Sequence, residues 1–183
     1  MSHKIPVFVI SFFGLLAVDQ LTKLWTIWTF PQPYVGELQI IDGWLSLTHA
    51  QNFGAAFSSL EGQWALFMVF TVVATVIVLD LLRRLRPDAT FMAFVLGMIL
   101  SGAMGNGLDR LRLGQVTDMI RVYTEYPPLK SWLVERFGTA TWPIFNVADS
   151  VLLVGITLFL VHYLFLEEHE SEEDEDAALE EPG

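Results

Sequence analysis

The sequence predicts an all-α integral membrane protein with four transmembrane helices, a small extracytoplasmic β-hairpin or sheet, and an external loop with an interfacial helix. Three observations carry this reading. Four stretches reach the roughly 20 residues that the hydrocarbon core of a bilayer requires. Of the 183 residues, 53% are hydrophobic, which suits one compact membrane domain better than a soluble protein carrying an anchor. Acids also stand in apolar settings, V-T-D-M-I around Asp118 and F-N-V-A-D-S around Asp149. An ionised carboxylate is costly there, so such an acid faces a bundle interior or a water cavity and has a task.

The first span runs from Pro6 to Trp28. It lacks an A-x-A-like cleavage site and continues through Asp19 and Lys23, so it is expected to be retained rather than removed as a signal peptide. Asp19 precedes Lys23 by one helical turn, the favourable order for an ion pair. Residues 37–49 contain the turn signal Asp42-Gly43, with Leu45 and Leu47 alternating with polar neighbours, and a hairpin over the outer mouth of the bundle is expected.

The second span covers Gly62 to Leu82 and the third Ala89 to Leu108. Ala93, Gly97, Ser101 and Gly105 form a small-residue stripe on the third that lets another helix approach closely. Gly102, Asn106 and Arg110 follow the same spacing on an adjacent line, ending in groups that lipid rejects. That line is expected to face a polar cavity. Further on, Pro127-Pro128 breaks the chain before Leu129, Trp132, Leu133 and Phe137, which share one face of a short amphipathic helix suited to the interface. A loop with scattered apolar residues is the alternative. The fourth span covers Trp142 to Leu166 and completes a single membrane-embedded domain over residues 1–166.

The formal charge of -11 is uneven: residues 167–183 hold ten of the 21 acids and no Lys or Arg. The tail is therefore expected to be solvated and disordered. The remaining body has eleven acids against ten bases and no broad basic surface for nucleic acid. Cysteine is absent, which excludes disulfides, thiolate catalysis and Cys-based metal sites within the chain. Arg83, Arg84 and Arg86 crowd the link between the second and third spans, whereas residues 29–61 have no Lys or Arg, so both termini are expected in the cytoplasm. Arg110, Arg112, Arg121, Lys130 and Arg136 run against that count.

With about 1.5 Å of rise per residue, Asp19 falls roughly 20 Å along the first span, Asn106 about 25 Å along the third and Asp149 about 10 Å into the fourth. All three then lie in the outer leaflet. Asp118 must fold back from the external loop to meet Asp149, giving a water-filled site near the outer surface. Two acids brought together can share one proton, one serving as base and the other as acid.

Rival chemistries fit less well. There is no H-E-x-x-H, and His3, His49, His162 and His169 lack metal-site spacing. No G-x-S-x-G is present, and a Ser-Lys dyad would require Lys23, which already has Asp19 at ion-pair spacing. A small ion-coupled transporter using Asp19, Asp109 and Asp149 as a proton path is the alternative from another class. A membrane scaffold would explain the small-residue stripe but not the gathered acids.

Five fragments occur in order: D-Q-L-T-K at 19–23, N-F-G-A-A-F at 52–57, G-A-M-G-N-G-L-D-R at 102–110, V-T-D-M-I at 116–120 and F-N-V-A-D-S at 145–150. Together, over roughly residues 6–166, they resemble lipoprotein signal peptidase, also called signal peptidase II. The resemblance implies a bacterial inner-membrane aspartic endopeptidase that cuts prolipoproteins just before their diacylglyceryl-modified cysteine. It implies no metal or organic cofactor, and the sequence shows no obligate protein partner beyond its lipid surroundings. Asp118 and Asp149 correspond to the family's catalytic pair. Asn52 and Gly54 match a loop able to hold substrate backbone, and Asn106, Arg110 and Asn146 match positions around the site. Asp19, Lys23, Asp109 and Arg110 either support the site or serve structure alone, Asp109 and Arg110 by pairing with each other or with loop backbone and Asp19 with Lys23 by neutralising a buried charge; Gly102 serves the site or only close helix contact. Phe145 fits ordinary core equally well. Two features depart from the family pattern: the interval from Asp118 to Asn146 is long, and the tail is acidic rather than basic.

Overall fold

The computed structural model describes residues 3–54 and 64–165. Residues 55–57 of the N-F-G-A-A-F motif, the expected start of the second span at 62–63, and Leu166 with the acidic tail 167–183 lie outside the described residues. In chain order the elements are α1 (Lys4–Thr29), β1 (Glu37–Ile41), β2 (Leu45–Asn52), α2 (Trp64–Arg84), α3 (Thr90–Leu113), β3 (Val116–Val122), α4 (Pro127–Phe137) and α5 (Val147–Phe165). Helices α1, α2, α3 and α5 are long and apolar enough to cross a membrane.

Helix α3 is central because its small residues remove the side-chain bulk that would hold its neighbours away. A Cβ on Gly97 would strike the Ser11 side chain and the Phe8 carbonyl of α1. One on Gly105 would meet Asp19 Oδ2 at 2.5 Å and Ala148 Cβ at 3.1 Å, so the stripe seats α1 and, at its far end, the start of α5. Phe8, Val78, Leu82, Ala93, Leu96 and Leu100 close the apolar core. The outer faces expose Ile10, Phe13, Leu21, Val76 and Leu153, a belt that lipid rather than protein covers.

At one end of the bundle β1, β2 and β3 form an antiparallel sheet in that order. The expected hairpin is present and extends to Asn52. Its turn uses Gly43 at φ +72°, with the Trp44 N–H donating to Ile41 O at 3.0 Å. Polar Ser46 and Thr48 point inward, where Ser46 Oγ donates to Glu37 and Thr48 Oγ1 to the Gly36 carbonyl, while Leu45 and Leu47 are only half-buried. The return of Asp118 takes the form of strand β3, which sets Asp118 opposite Ala50 of β2.

The expected fourth span is corrected. Residues 141–145 are not helical: Thr141 and Phe145 bridge Tyr123 and Ile120 of the β3 segment, and the Phe145 carbonyl accepts the N–H groups of Met119 and Ile120 at 3.1 and 2.8 Å. This pairing holds the chain extended until Asn146, so α5 begins at Val147 and Asp149 sits in its first turn rather than about 10 Å inside the span. The third span, in turn, runs on to Leu113 and carries Asp109 and Arg110 on its last turns.

The amphipathic segment is helical as α4. Pro127 enters after an extended Tyr126, and Gly138 at φ +77° ends the helix with its N–H on the Val134 carbonyl. Leu129 and Leu133 are half-buried, Trp132 and Phe137 are exposed, and no residue of α4 is buried. A helix with that apolar face left open suits the lipid–water interface.

Candidate active site

Asp149 is fixed by the way α5 starts. Asn146 is the N-cap: its Oδ1 accepts the Asp149 N–H at 3.0 Å, while Asp149 Oδ2 accepts the Asn146 N–H at 3.2 Å. This is a reciprocal capping box in which an aspartate takes the usual glutamate position. The intervening Ala148 N–H, another of the unpaired donors of a helix start, goes to Asp19 Oδ1 of α1 at 2.9 Å.

The Asn146 side chain then reaches the second acid. Its Nδ2 donates to Asp118 Oδ1 at 2.7 Å and to Asn106 Oδ1 at 3.0 Å. Asn106 Nδ2 in turn donates to Asp149 Oδ1 at 2.7 Å, and Asn52 Nδ2 donates to Asp118 Oδ2 at 3.0 Å. Each carboxylate thus receives two donors, and one buried asparagine bonds to both. Asn52 Oδ1 accepts the Gly54 N–H at 3.1 Å, which shapes the loop leaving β2. Burial pushes the Asp118 carboxyl up to about 7, and the charge of Asp149 adds to the rise; hydrogen bonds from Asn52 and Asn146 and the Lys23 ammonium oppose it.

Beneath the pair lies a second buried cluster. Lys23 Nζ reaches Asp19 Oδ2 at 3.0 Å, Asp109 Oδ2 at 3.2 Å and Asn106 Oδ1 at 3.0 Å, which uses all three ammonium donors. Asp109 Oδ2 also accepts the Thr117 N–H at 3.1 Å. The expected Asp19 and Lys23 pair is therefore present with Asp109 as a third member. Asp109 binds the backbone of strand β3 and Lys23 rather than Arg110. Gln20 was not singled out by sequence reasoning, yet its Nε2 donates to Asp19 Oδ2 at 3.1 Å and Asp109 Oδ1 at 3.3 Å. The available signal was its position between Asp19 and Lys23 in D-Q-L-T-K.

Asp149 opens onto a groove of about 590 Å³ between α2 and α5, floored by α3, while Asp118 is buried behind its bonds to Asn52 and Asn146. Asn52, Asn106, Arg110 and Asp149 line its polar end, and Phe70, Ala74, Ile99, Leu152 and Ile156 its apolar length. Arg110 lies over the Phe67 ring at 4.3 Å, a cation–π contact that leaves the guanidinium beside the carboxylates. Phe145 lines the groove as well as pairing with β3, so it is more than core. A Cβ on Gly102 would lie 2.5 Å from the Ala148 carbonyl and 2.7 Å from Leu152 Cβ, so Gly102 permits the approach of α5 that carries Asp149. Among the described residues no group of three His, Cys, Asp or Glu side chains could hold a metal ion.

Four spanning helices around two aspartates joined through asparagines, one buried and one on a lateral groove, define a membrane-embedded hydrolase of the aspartic class. Residues 11–165 match the model of the family described as signal peptidase (SPase) II, and the chain belongs to that family. A protein named lipoprotein signal peptidase from Geobacillus kaustophilus is 39% identical over 153 residues, covering 83% of this chain and 89% of the relative. Its counterpart from Enterococcus faecalis is 36% identical over 174 residues, covering 94% and 96%. Two solved structures described as bacterial membrane enzymes superimpose with TM-scores of 0.71 and 0.70 at 25% identity. The first covers 87% of this chain and 88% of its own, the second 88% and 94%. The protein is accordingly a bacterial membrane peptidase.

Proposed function

We propose that the protein removes signal peptides from diacylglyceryl-modified prolipoproteins by cutting before the lipidated cysteine, with Asp118 and Asp149 as the catalytic pair. The observation that carries this is Asn146, whose Nδ2 binds Asp118 and whose backbone N–H binds Asp149. No packing requirement calls for two acids to be held on one asparagine beside an open groove. Asp118, with its carboxyl raised to about 7, holds the proton of the pair and donates it to the scissile carbonyl oxygen. Asp149, at the N-terminal end of α5 where the helix dipole favours negative charge, takes a proton from the attacking water. The tetrahedral intermediate collapses as Asp149 returns that proton to the departing amine and Asp118 recovers its own from the new hydroxyl. Asn52, Gly54 and Arg110 orient the peptide, while Asp19, Lys23 and Asp109 hold the frame.

The domain comprises residues 1–166, both termini are cytoplasmic, and the site lies in the outer leaflet. The arginine-rich link supports this orientation, as does its place at the opposite end of the bundle from the sheet. Acyl chains on the substrate cysteine would anchor in the surrounding lipid and bring the preceding peptide bond to the depth of the pair. The transporter reading loses its path, because Asp19 and Asp109 are both bound by Lys23 and by backbone N–H groups. The test is a diacylated prolipoprotein reporter incubated with purified protein: a product shortened at the bond before cysteine is expected, and an intact reporter overturns the reading.

A further inference from the structure

A second groove, of about 640 Å³, lies at the other end of the bundle, far from Asp118 and Asp149. It sits where α2 ends, the arginine-rich link turns and α3 begins, with the last turns of α5 as its far wall. Its interior is apolar: Leu81, Leu85, Met92 and Phe159. Its rim is not. Arg84, Arg86, Asp88, His162 and Tyr163 border it. Among the described residues the backbone of α2 packs on α3 and not on α5, so the two helices leave the groove between them open at its side.

The charges at this rim are unequal. Lys4, Arg83, Arg84 and Arg86 face Asp80 and Asp88 alone among the acids of the α2–α3 turn. Lys4 bends onto the carbonyls of Arg83 and Leu85 and ties α1 to the link. Arg84 gives its Nε to Asp80 at 2.7 Å, and Arg86 Nε lies 3.5 Å from Asp88. In both arginines no terminal NH group has a partner among the described residues, and the side chains are 75% and 82% exposed. On the opposite wall His162 Nδ1 is buried without a hydrogen-bond partner among the described residues. Such a nitrogen is costly unless something bonds to it.

An apolar slot open at its side and rimmed by guanidinium donors matches one ligand chemistry. We propose that this groove binds an anionic phospholipid, with one acyl chain along Leu85, Met92 and Phe159 and the phosphodiester on Arg84 and Arg86. Basic pockets between spanning helices at the cytoplasmic leaflet recognise anionic headgroups in this way, because the arginine fork matches phosphate oxygens while the slot holds the tail. The site shares no residue with the proposed active site and stands or falls independently of it.

The experiment is native mass spectrometry of the purified full-length protein with equimolar dioleoyl-phosphatidylglycerol and dioleoyl-phosphatidylcholine. Two arginines at an interface predict a preference for the anionic lipid on the order of tenfold to thirtyfold. Arg84→Gln/Arg86→Gln should bring the two lipids within about twofold of each other. Ala89→Trp, which fills the groove without changing charge, should weaken retention of the anionic lipid in proportion to the lost slot. Reporter cleavage by both variants establishes that they are folded. Equal binding of the two lipids to the unaltered protein overturns the proposal, and so does full preference in Arg84→Gln/Arg86→Gln or undiminished retention in Ala89→Trp. Displacement of the lipid by soluble glycerol 3-phosphate would identify a site for free phosphate esters instead. A preference that appears only after truncation following Leu166 would show that the acidic tail is the groove's occupant, and would equally reject the lipid.

Discussion

The Asp19 carboxylate holds the backbone N–H of Ala148 at 2.9 Å, one residue before Asp149, and Asp109 does the same for Thr117 at 3.1 Å, one residue before Asp118. Each member of the proposed catalytic pair, Asp118 on β3 and Asp149 on α5, is thereby positioned through the preceding residue by an acid from a different element. Lys23 joins the two arms, since its ammonium bonds both Asp19 and Asp109. The frame beneath the site is thus ionic, buried and shared between α1 and α3.

Lys23→Met should leave Asp19 and Asp109 buried without their counter-charge. Removing one partner of a buried ionic cluster costs about 3–5 kcal/mol, because the uncompensated charge remains. Thermal unfolding in a mild detergent should show a large drop, and adding Asp109→Asn to Lys23→Met should recover part of it. A single variant as stable as the unaltered protein contradicts this account of the frame.

Asp118→Asn and Asp149→Asn keep the shape of each side chain but remove the exchangeable proton. Each should lower reporter cleavage by about 10²–10⁴-fold, the range that a positioned acid or base contributes. Both should still purify as folded membrane protein. Asp88→Asn, on the distant link, should cleave at the normal rate, and comparable turnover by either active-site variant would remove that residue from the pair.

The Asp118 carboxyl rises from an ordinary 3.8 to about 7 in the fold. A raised folded value means the native state favours the protonated form. That contribution is full below about 3.8, declines as pH climbs and is gone above about 7, a change on the order of a few kcal/mol. Stability should therefore fall between pH 4 and 7, and Asp118→Asn should flatten that slope and melt above the unaltered protein at pH 8. Cleavage should lose rate as pH passes about 7 and Asp118 ionises. Identical melting profiles for the two proteins at pH 4 and pH 8 would refute the assignment.

Much of this was legible because lipid constrains sequence so strongly. The four apolar runs, the four-residue stripe through Gly97 and Gly105, and the Asp42-Gly43 turn each follow from a local rule, and each is found. The start of α5 was misplaced because hydropathy alone counts Trp142, Pro143 and Ile144 as span. The cap formed by Asn146 and Asp149, which the sequence reading did not use, sets the true boundary, and the strand pairing of Phe145 explains it. The joining of Asp19 to Ala148 and of Asp109 to Thr117 was not legible. Those bonds end on backbone N–H groups, which every residue has, so no side-chain pattern marks them.

Gly102 and Gly14 offer a controlled contrast within helices. A Cβ at Gly102 would collide with the Ala148 carbonyl and Leu152, whereas one at Gly14 would meet nothing within 4 Å. Alanine in a helix is otherwise favoured over glycine by about 1 kcal/mol. Gly14→Ala should be neutral or slightly stabilising. Gly102→Ala should push α5 outward, shift Asp149 and cut turnover, by about 10²-fold for a displacement near 1 Å. Equal activity of the two variants would mean that α5 is not seated through Gly102.

The substrate's lipid should matter to rate while metal should not. Asp149 sits in the first turn of α5, at the level of the sheet, where acyl chains on a substrate cysteine can insert and leave the preceding peptide bond beside the carboxylates. An unlipidated precursor loses that placement and must find the groove by diffuse encounter, forfeiting much of the advantage of an oriented complex. The chemistry proposed for Asp118 and Asp149 asks for no cation. Lipidated and unlipidated reporters incubated with and without a strong chelator separate the two points. Cleavage of the lipidated reporter alone, unchanged by chelator, is the expected result. Equal cleavage of both reporters rejects lipid-guided positioning, and chelator inhibition reversed by added metal rejects the aspartate mechanism.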